Sequence, residues 1–437
     1  MTFADIVSQV VQSSAASENF LTDGLWSCHY PEIPEILETI DHYLSEQGVQ
    51  ADDCVAVECH NSVPGALLLM VLLQKEQGFV LLPPSEKPGE ASELKPIPRF
   101  CQHRLVIKSL RKEQTEQWSR QPSQFLAVER QATHLRQDLS EFPVETRGKL
   151  FLRTSGSMGP AKIVVHSQAK VLGNAGNCVR KYQFTVEDRV TIPVPIFHFY
   201  GFGAEFLPGL LVGASIDLQE NTNLLKYLDR ERRFQPTIVF ITPNLCEMLL
   251  QGKKTPRYHK VIVVSGQRFR EELFRAFDPL CCSRLVNQYG STKMGAIAAC
   301  SPDDPLEQRA TTIGQPMAGV ELRIDSLETS TGELHCRHPY GFIGYMDEAG
   351  NWLYRADEWH RTGDVARTHE GRIEVVGRAD NSVNRSGYLV FLADIERMIE
   401  KLDQVAQVTV IATQREERIQ GQQIIALCVP KDRKSVV

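Results

Sequence analysis

Hydrophobic and polar positions alternate in blocks along most of the chain. Residues 54–83 hold two short apolar runs flanking a segment with helical periodicity, and Pro83-Pro84 closes the block. That order predicts strand, helix, strand. The unit recurs downstream, with strands expected over 189–194, 237–241 and 260–264 and helices over 206–212, 244–250 and 269–277. Strands alternating with helices predict a parallel sheet covered on both faces, with ligands bound where loops leave the strand C-termini. Residues 85–145 are polar and charged, and solvated helices and loops are expected there. From about 312 the pattern shifts to short strands at 320–324, 333–337 and 372–376. Past Asp380 follow a helix over 393–401 and strands over 407–412 and 423–429. The expectation is an α/β fold: a large N-terminal domain (1–379) of βα-layered subdomains with a small β-rich subdomain, then a small α+β unit (380–437).

Composition narrows the function classes. A chain of 437 residues implies two or three packed units. Forty-eight basic against 54 acidic residues give −6 and a pI near 6.1, which weighs against nucleic-acid binding. With 42% hydrophobic and 23% charged residues the chain is globular and not globally disordered. The apolar run Ala66–Leu73 is too short to cross a bilayer, so no membrane span is expected. Met1–Val11 lacks the order of a secretory signal. Eleven cysteines without a C-x-x-C pair suit a reducing, cytoplasmic compartment. Cys28-His29 and Cys59-His60 have no second pair at zinc spacing, and no metal-ligating residues are expected.

The strongest local signal is Leu150–Val165, where an apolar strand runs into Thr154, Ser155, Gly156, Ser157, Met158 and Gly159, with Lys162 three residues on. Glycines admit an anion close to the backbone, hydroxyls and N–H groups donate to it, and a lysine adds positive charge. The G-x-x-G-x-x-K spacing is not that of the P-loop NTPases. Alone, such a loop is either a phosphate cradle or a plain turn.

The loop resembles the phosphate-binding signature of the adenylate-forming superfamily, with Met158, Ala161 and Ile163 where threonine, proline and glycine are usual. Further blocks follow in family order. Pro195–Gly201 resembles the P-x-F-H-x-x-G segment, and Ser265-Gly266-Gln267 falls where the family contacts adenine. Asn287–Thr292 resembles N-x-Y-G-x-T-E, Arg361–Asp364 the R-T-G-D block, and Gly377–Asp380 the G-R-x-D hinge, with Gly387-Tyr388 and Ile395-Glu396 matching the run beyond it. Six blocks in register identify the chain as a member of this superfamily.

The resemblance implies ATP-dependent activation of an acyl or aryl carboxylic acid to an acyl-adenylate. Transfer to the thiol of CoA or of a carrier protein's phosphopantetheine would follow. Thr154, Ser155, Ser157 and Thr292 would hold phosphate oxygens beside Gly156, Gly159 and Lys162. Ser265, Gly266, Gln267, Asn287, Tyr289 and Gly290 would surround adenine, which stacks on Tyr289. Asp364 would accept from the ribose hydroxyls, Arg378 would donate to ribose or phosphate, and Asp380 would be the hinge of the lid. His198 would line the tunnel through which the carboxylate and later the thiol approach. Amino-acid-activating relatives carry an aspartate in that segment; Phe197–Tyr200 has none, which favours a plain acid.

Two departures bear on activity. Lys293 stands where the family has a glutamate that helps hold Mg²⁺, and an ammonium cannot ligate a metal. Lys293 is then either a catalytic residue that contacts a phosphate itself, with Mg²⁺ carried on the oxygens of ATP, or a mark of a site no longer used for ATP. Set against the family pattern, the sequence to Val437 shows no G-K motif, so a shortened lid is expected, and Asn384 stands where a lysine is common. An impaired nucleotide- or acyl-binding relative acting as a scaffold is therefore the alternative.

Overall fold

A computed structural model describes residues 2–84, 96–108, 118–131, 145–153, 162–220, 223–252, 255–267, 269–325, 331–369, 372–379, 382–385, 388–413 and 423–431. They fall into two compact units, residues 1–320 with 338–358, and residues 321–337 with 359–437.

The first unit is built on two sheets. In the larger, the strands over 285–291, 261–264, 238–241, 189–192, 215–218 and 20–22 run parallel in that spatial order, with antiparallel strands at both edges. Val261–Val264 and Ile238–Ile241 are buried throughout, as β-branched runs become when helices cover both faces of a sheet. Helices Pro243–Gln251 and Glu271–Phe277 supply one cover, packing Leu245, Leu249, Phe274 and Phe277 against Val239, Ile262 and Val264.

The second sheet has a parallel centre, 149–153, 78–82, 54–58 and 103–107, and antiparallel strands beyond it, including 163–167. Helix Val63–Gln74 joins two of its strands. Ser62 caps it by accepting from the Gly65 N–H, and Pro64 sits in its first turn, where no backbone donor is needed. Its residues Val63–Leu73 are all buried, as befits a helix apolar on every side.

Most expected elements appear within a few residues. Two differences have physical causes. Residues 103–107 and 126–130 are paired strands rather than solvated loops. Arg104 escaped the hydrophobic pattern because its guanidinium is buried on Glu58 at 2.9 Å. The helix expected over 206–212 begins as a π-helix, Tyr200–Phe206, before Leu207–Val212 turns α-helical.

The second unit is a four-stranded antiparallel sheet, 321–325, 331–337, 360–369 and 372–378, followed by smaller pieces. Helix Leu392–Glu400 lays Ile395 and Ile399 on the hairpin 405–413/423–430 through Val408, Val410 and Ile424. All eleven cysteines are free thiols, and only Cys282 and Cys428 are exposed.

Candidate active site

The parallel strands of the larger sheet end at one edge, and their C-terminal ends carry three of the sequence-predicted blocks. His198 follows strand 189–192, Ser265–Gln267 follows 261–264, and Asn287–Thr292 closes strand 285–291. Strand 189–192 has 215–218 on one side and 238–241 on the other, so the chain's direction of travel reverses there. Such a switch point opens a crevice at the strand C-termini. Tyr200 spans these strand ends, its hydroxyl 3.3 Å from the Ile241 carbonyl and 3.4 Å from that of Val263. Gly266 takes φ +92°, a conformation costly for any other residue.

A residue missed in the sequence ties the two sheets together. Asn61, in the turn after strand 54–58, is buried. It shares its amide N–H donors among the carbonyls of Ile192, Val194 and Gln219 at 2.9–3.1 Å. Its carbonyl accepts from the Ile196 N–H at 2.8 Å. The smaller sheet thereby fixes the start of the segment that leads to His198. The His198 ring is exposed, 4.5 Å from the Phe197 ring, and crowding by neighbouring atoms biases it toward the neutral form.

The turn after strand 285–291 is held by its backbone. Three consecutive carbonyls each accept from a different segment: Thr292 O from His166 Nε2 at 2.8 Å, Lys293 O from the Phe342 N–H at 2.7 Å, and Met294 O from Asn174 Nδ2 at 3.4 Å. The Ser291 hydroxyl accepts from the Met294 N–H at 3.1 Å. Strand 285–291 bulges between Tyr289 and Gly290. A Cβ at Gly290 would lie 2.4 Å from the Gly295 carbonyl, so only glycine fits this close approach. The Asn287 side chain donates to Thr312 O at 3.4 Å, and Tyr289, Thr292 and Lys293 are half-buried.

Two buried groups set the local electrostatics. His166 has no exposed surface, and burial pulls its pKa down to about 4, so the ring is neutral. It also stacks on Phe199, with centroids 4.8 Å apart. Glu205, in the π-helix, is fully buried with neither carboxyl oxygen hydrogen-bonded, and burial raises its pKa well above the usual range. Burial thus holds the Glu205 carboxyl in its neutral acid form, and Phe197–Tyr200 itself carries no carboxylate.

The second unit brings Asp364 and Arg378 together. They are register partners on strands 360–369 and 372–378, with Arg378 Nη1 3.3 Å from Asp364 Oδ1. Gly363 at φ +78° lets the chain turn, and its carbonyl accepts from the Ala379 N–H at 2.8 Å. The Thr362 hydroxyl donates to Leu334 O at 2.7 Å, locking this stretch to strand 331–337.

Thr154, Ser155, Gly156, Ser157, Gly159, Asp380 and Gly387 lie outside the described residues. Lys162 is described; it is exposed, with Nζ 5.7 Å above the Tyr345 ring. Among the described residues no three His, Cys, Asp or Glu side chains converge on a point that would hold a metal ion. Lys293 offers an ammonium, which repels a divalent cation. Among the described residues, no helix is long and apolar enough to cross a membrane.

A family profile for AMP-binding enzymes matches residues 27–346, and the chain belongs to that family, within the adenylate-forming superfamily indicated by its motifs. An indoleacetate–CoA ligase of Aromatoleum aromaticum is 26% identical over 306 residues, covering 66% of this chain and 58% of that protein. A mitochondrial medium-chain acyl-CoA ligase, ACSF2, of Bos taurus is 29% identical over 297 residues, covering 62% and 48%. The matched region thus spans about half the length of these relatives. The fold is similar to ATP-bound MatB from Rhodopseudomonas palustris (TM-score 0.75, 18% identity, covering 100% of this chain and 90% of that one). It is also similar to the anthranilate CoA ligase AuaEII in complex with anthranoyl-AMP (TM-score 0.76, 17% identity, 99% and 87%).

Proposed function

We propose that this chain activates a carboxylic acid with ATP and passes the acyl group to a thiol, that of CoA or of a carrier protein. The observation that carries this reading is the convergence of the His198, Ser265–Gln267 and Asn287–Thr292 loops at the C-terminal edge of one parallel sheet. A carboxylate oxygen attacks the α-phosphorus while the bond to pyrophosphate breaks. The thiolate then attacks the acyl carbon, and AMP leaves with its electron pair. Activation is needed because a carboxylate is a poor electrophile and AMP is a far better leaving group than oxide.

In this reading Tyr289 gives adenine an aromatic face, and Ser265–Gln267 and Asn287 border it. Asp364 accepts from the ribose hydroxyls, Arg378 donates to ribose or phosphate oxygens, and the Thr292 hydroxyl donates to phosphate. Thr154–Gly159 and Lys162 cradle the triphosphate, His198 flanks the incoming acid, and the chain turns at Asp380 between the half-reactions. The relatives named for indoleacetate and medium-chain acids support an acyl or aryl acid as substrate. Lys293 favours a second reading, a nucleotide-binding relative without turnover, because an ammonium replaces a metal-holding carboxylate.

Pyrophosphate–ATP exchange with a panel of fatty and aromatic acids decides between them. Acid-dependent exchange supports ligase activity. Nucleotide binding by calorimetry with no exchange for any acid supports the second reading.

A further inference from the structure

We propose that His166 is a positioning residue: its imidazole holds the Thr292 carbonyl, and through that peptide plane aims the Thr292 hydroxyl at the phosphate. The inference rests on the adenylation reading above and adds a residue that the family motifs do not name.

The geometry identifies which atom does what. A carbonyl only accepts, so Nε2 must carry the proton in the 2.8 Å contact with Thr292 O, leaving Nδ1 bare. Nδ1 is buried without a hydrogen-bond partner. The ring is thus fixed in one tautomer by one bond. Full burial and the lowered pKa keep that donor neutral at ordinary pH. On its face the same ring carries Phe199, the neighbour of His198. His166 itself sits on strand 163–167, the first described strand beyond the phosphate loop.

From its seat on the strand leaving the phosphate loop, one side chain therefore touches two motif-bearing segments, the acid-side segment and the turn bearing Thr292. The carbonyls of Lys293 and Met294 are tied by other elements, so removing His166 releases the Thr292–Lys293 peptide plane while the rest of the turn stays anchored. A local tilt of the Thr292 side chain is the consequence, not collapse of the turn. Misplacement of a phosphate donor lowers the rate of the chemical step more than it weakens capture of the acid.

Pyrophosphate exchange tests this with three variants. His166→Phe keeps a ring against Phe199 but has no donor. His166→Gln keeps an N–H donor but loses the ring. Thr292→Ala removes the hydroxyl being aimed. His166→Phe should lower kcat about 10- to 100-fold with the acid KM changed less than about threefold, and His166→Gln should recover at least about tenfold of that loss. In the double variant, His166→Phe should cost less than about threefold beyond Thr292→Ala alone, since both act on one group.

The inference falls if His166→Phe retains kcat within about threefold of wild type, if Gln rescues nothing, or if the two losses multiply. Should His166→Phe not fold by circular dichroism, His166→Asn, too short to reach the carbonyl, takes its place in the cycle. Wild-type protein with no exchange overturns the adenylation reading and this inference together. Active wild type with multiplying losses overturns this inference alone.

Discussion

The turn bearing Thr292 and the strand pair bearing Asp364 and Arg378 are anchored by different means. Donors from remote segments grip the first by its carbonyls: the buried side chains of His166 and Asn174 and the backbone N–H of Phe342 each take one. Strand register places the second: Asp364 and Arg378 face each other because residues 364–369 pair with 372–378, and the Arg378 side chain is 48% exposed. In the first region position depends on polar contacts far apart in sequence, so single substitutions propagate. In the second it depends on backbone ladders, so side chains can be exchanged with little structural cost.

That contrast can be broken from either side. The largest effect is expected at Asn61, whose replacement by leucine takes away the partner of the buried Val194 and Gln219 carbonyls and of the Ile196 N–H, while the Ile192 carbonyl keeps the Gln219 N–H. Stability should drop by about 3–5 kcal/mol, measured by denaturant titration. A loss below about 1 kcal/mol would show that water replaces the amide.

Next comes pH. Burial holds the His166 pKa down to about 4 in the folded chain, against about 6.5 for a free imidazole. Between those values the unfolded state binds a proton that the native state refuses, so stability falls as pH drops from about 6.5 toward 4. The loss from this group is about 3 kcal/mol, and His166→Phe should lack it when unfolding is followed across that range.

Glu205 has the opposite sign. Its folded pKa lies above the ordinary one, so its contribution is fully present below about pH 4.5 and is lost as pH rises. Glu205→Leu should stabilise the chain at neutral pH by about 1–2 kcal/mol in the same assay, and a loss instead would mean that the carboxyl is satisfied there. The smallest effect belongs to the second region: Arg378→Met should change stability by less than about 1 kcal/mol. A larger loss would show that the pair does more than ride on its register.

Much of this architecture was legible because fully apolar strands and an all-apolar helix leave no ambiguity of period, as in Val261–Val264 and Val63–Leu73. Strand 103–107 was not, because Arg104 is buried through a carboxylate 46 positions away, and pairing at that range leaves no local trace. The π-turn at Tyr200–Phe206 was also hidden, since a shift in helical hydrogen bonding changes no hydrophobic pattern. In the site, motif spacing pointed to His198, Tyr289, Thr292 and Asp364. Asn61 and His166 escaped, because their contacts run across 131–158 and 126 residues. The only available signal for Asn61 was a polar residue between two apolar runs, a pattern shared with any turn.

The enclosed sulfur atoms give this chain a built-in stopwatch. Desolvation pushes the Cys59 and Cys178 thiols up to about 12, which starves them of thiolate while the core is closed. Alkylating reagents then mark Cys282 and Cys428 at once and the others only when their shelter opens. Since Cys59 lies in the smaller sheet's turn and Cys246 beneath the larger sheet, the order of labelling reads which half breathes first.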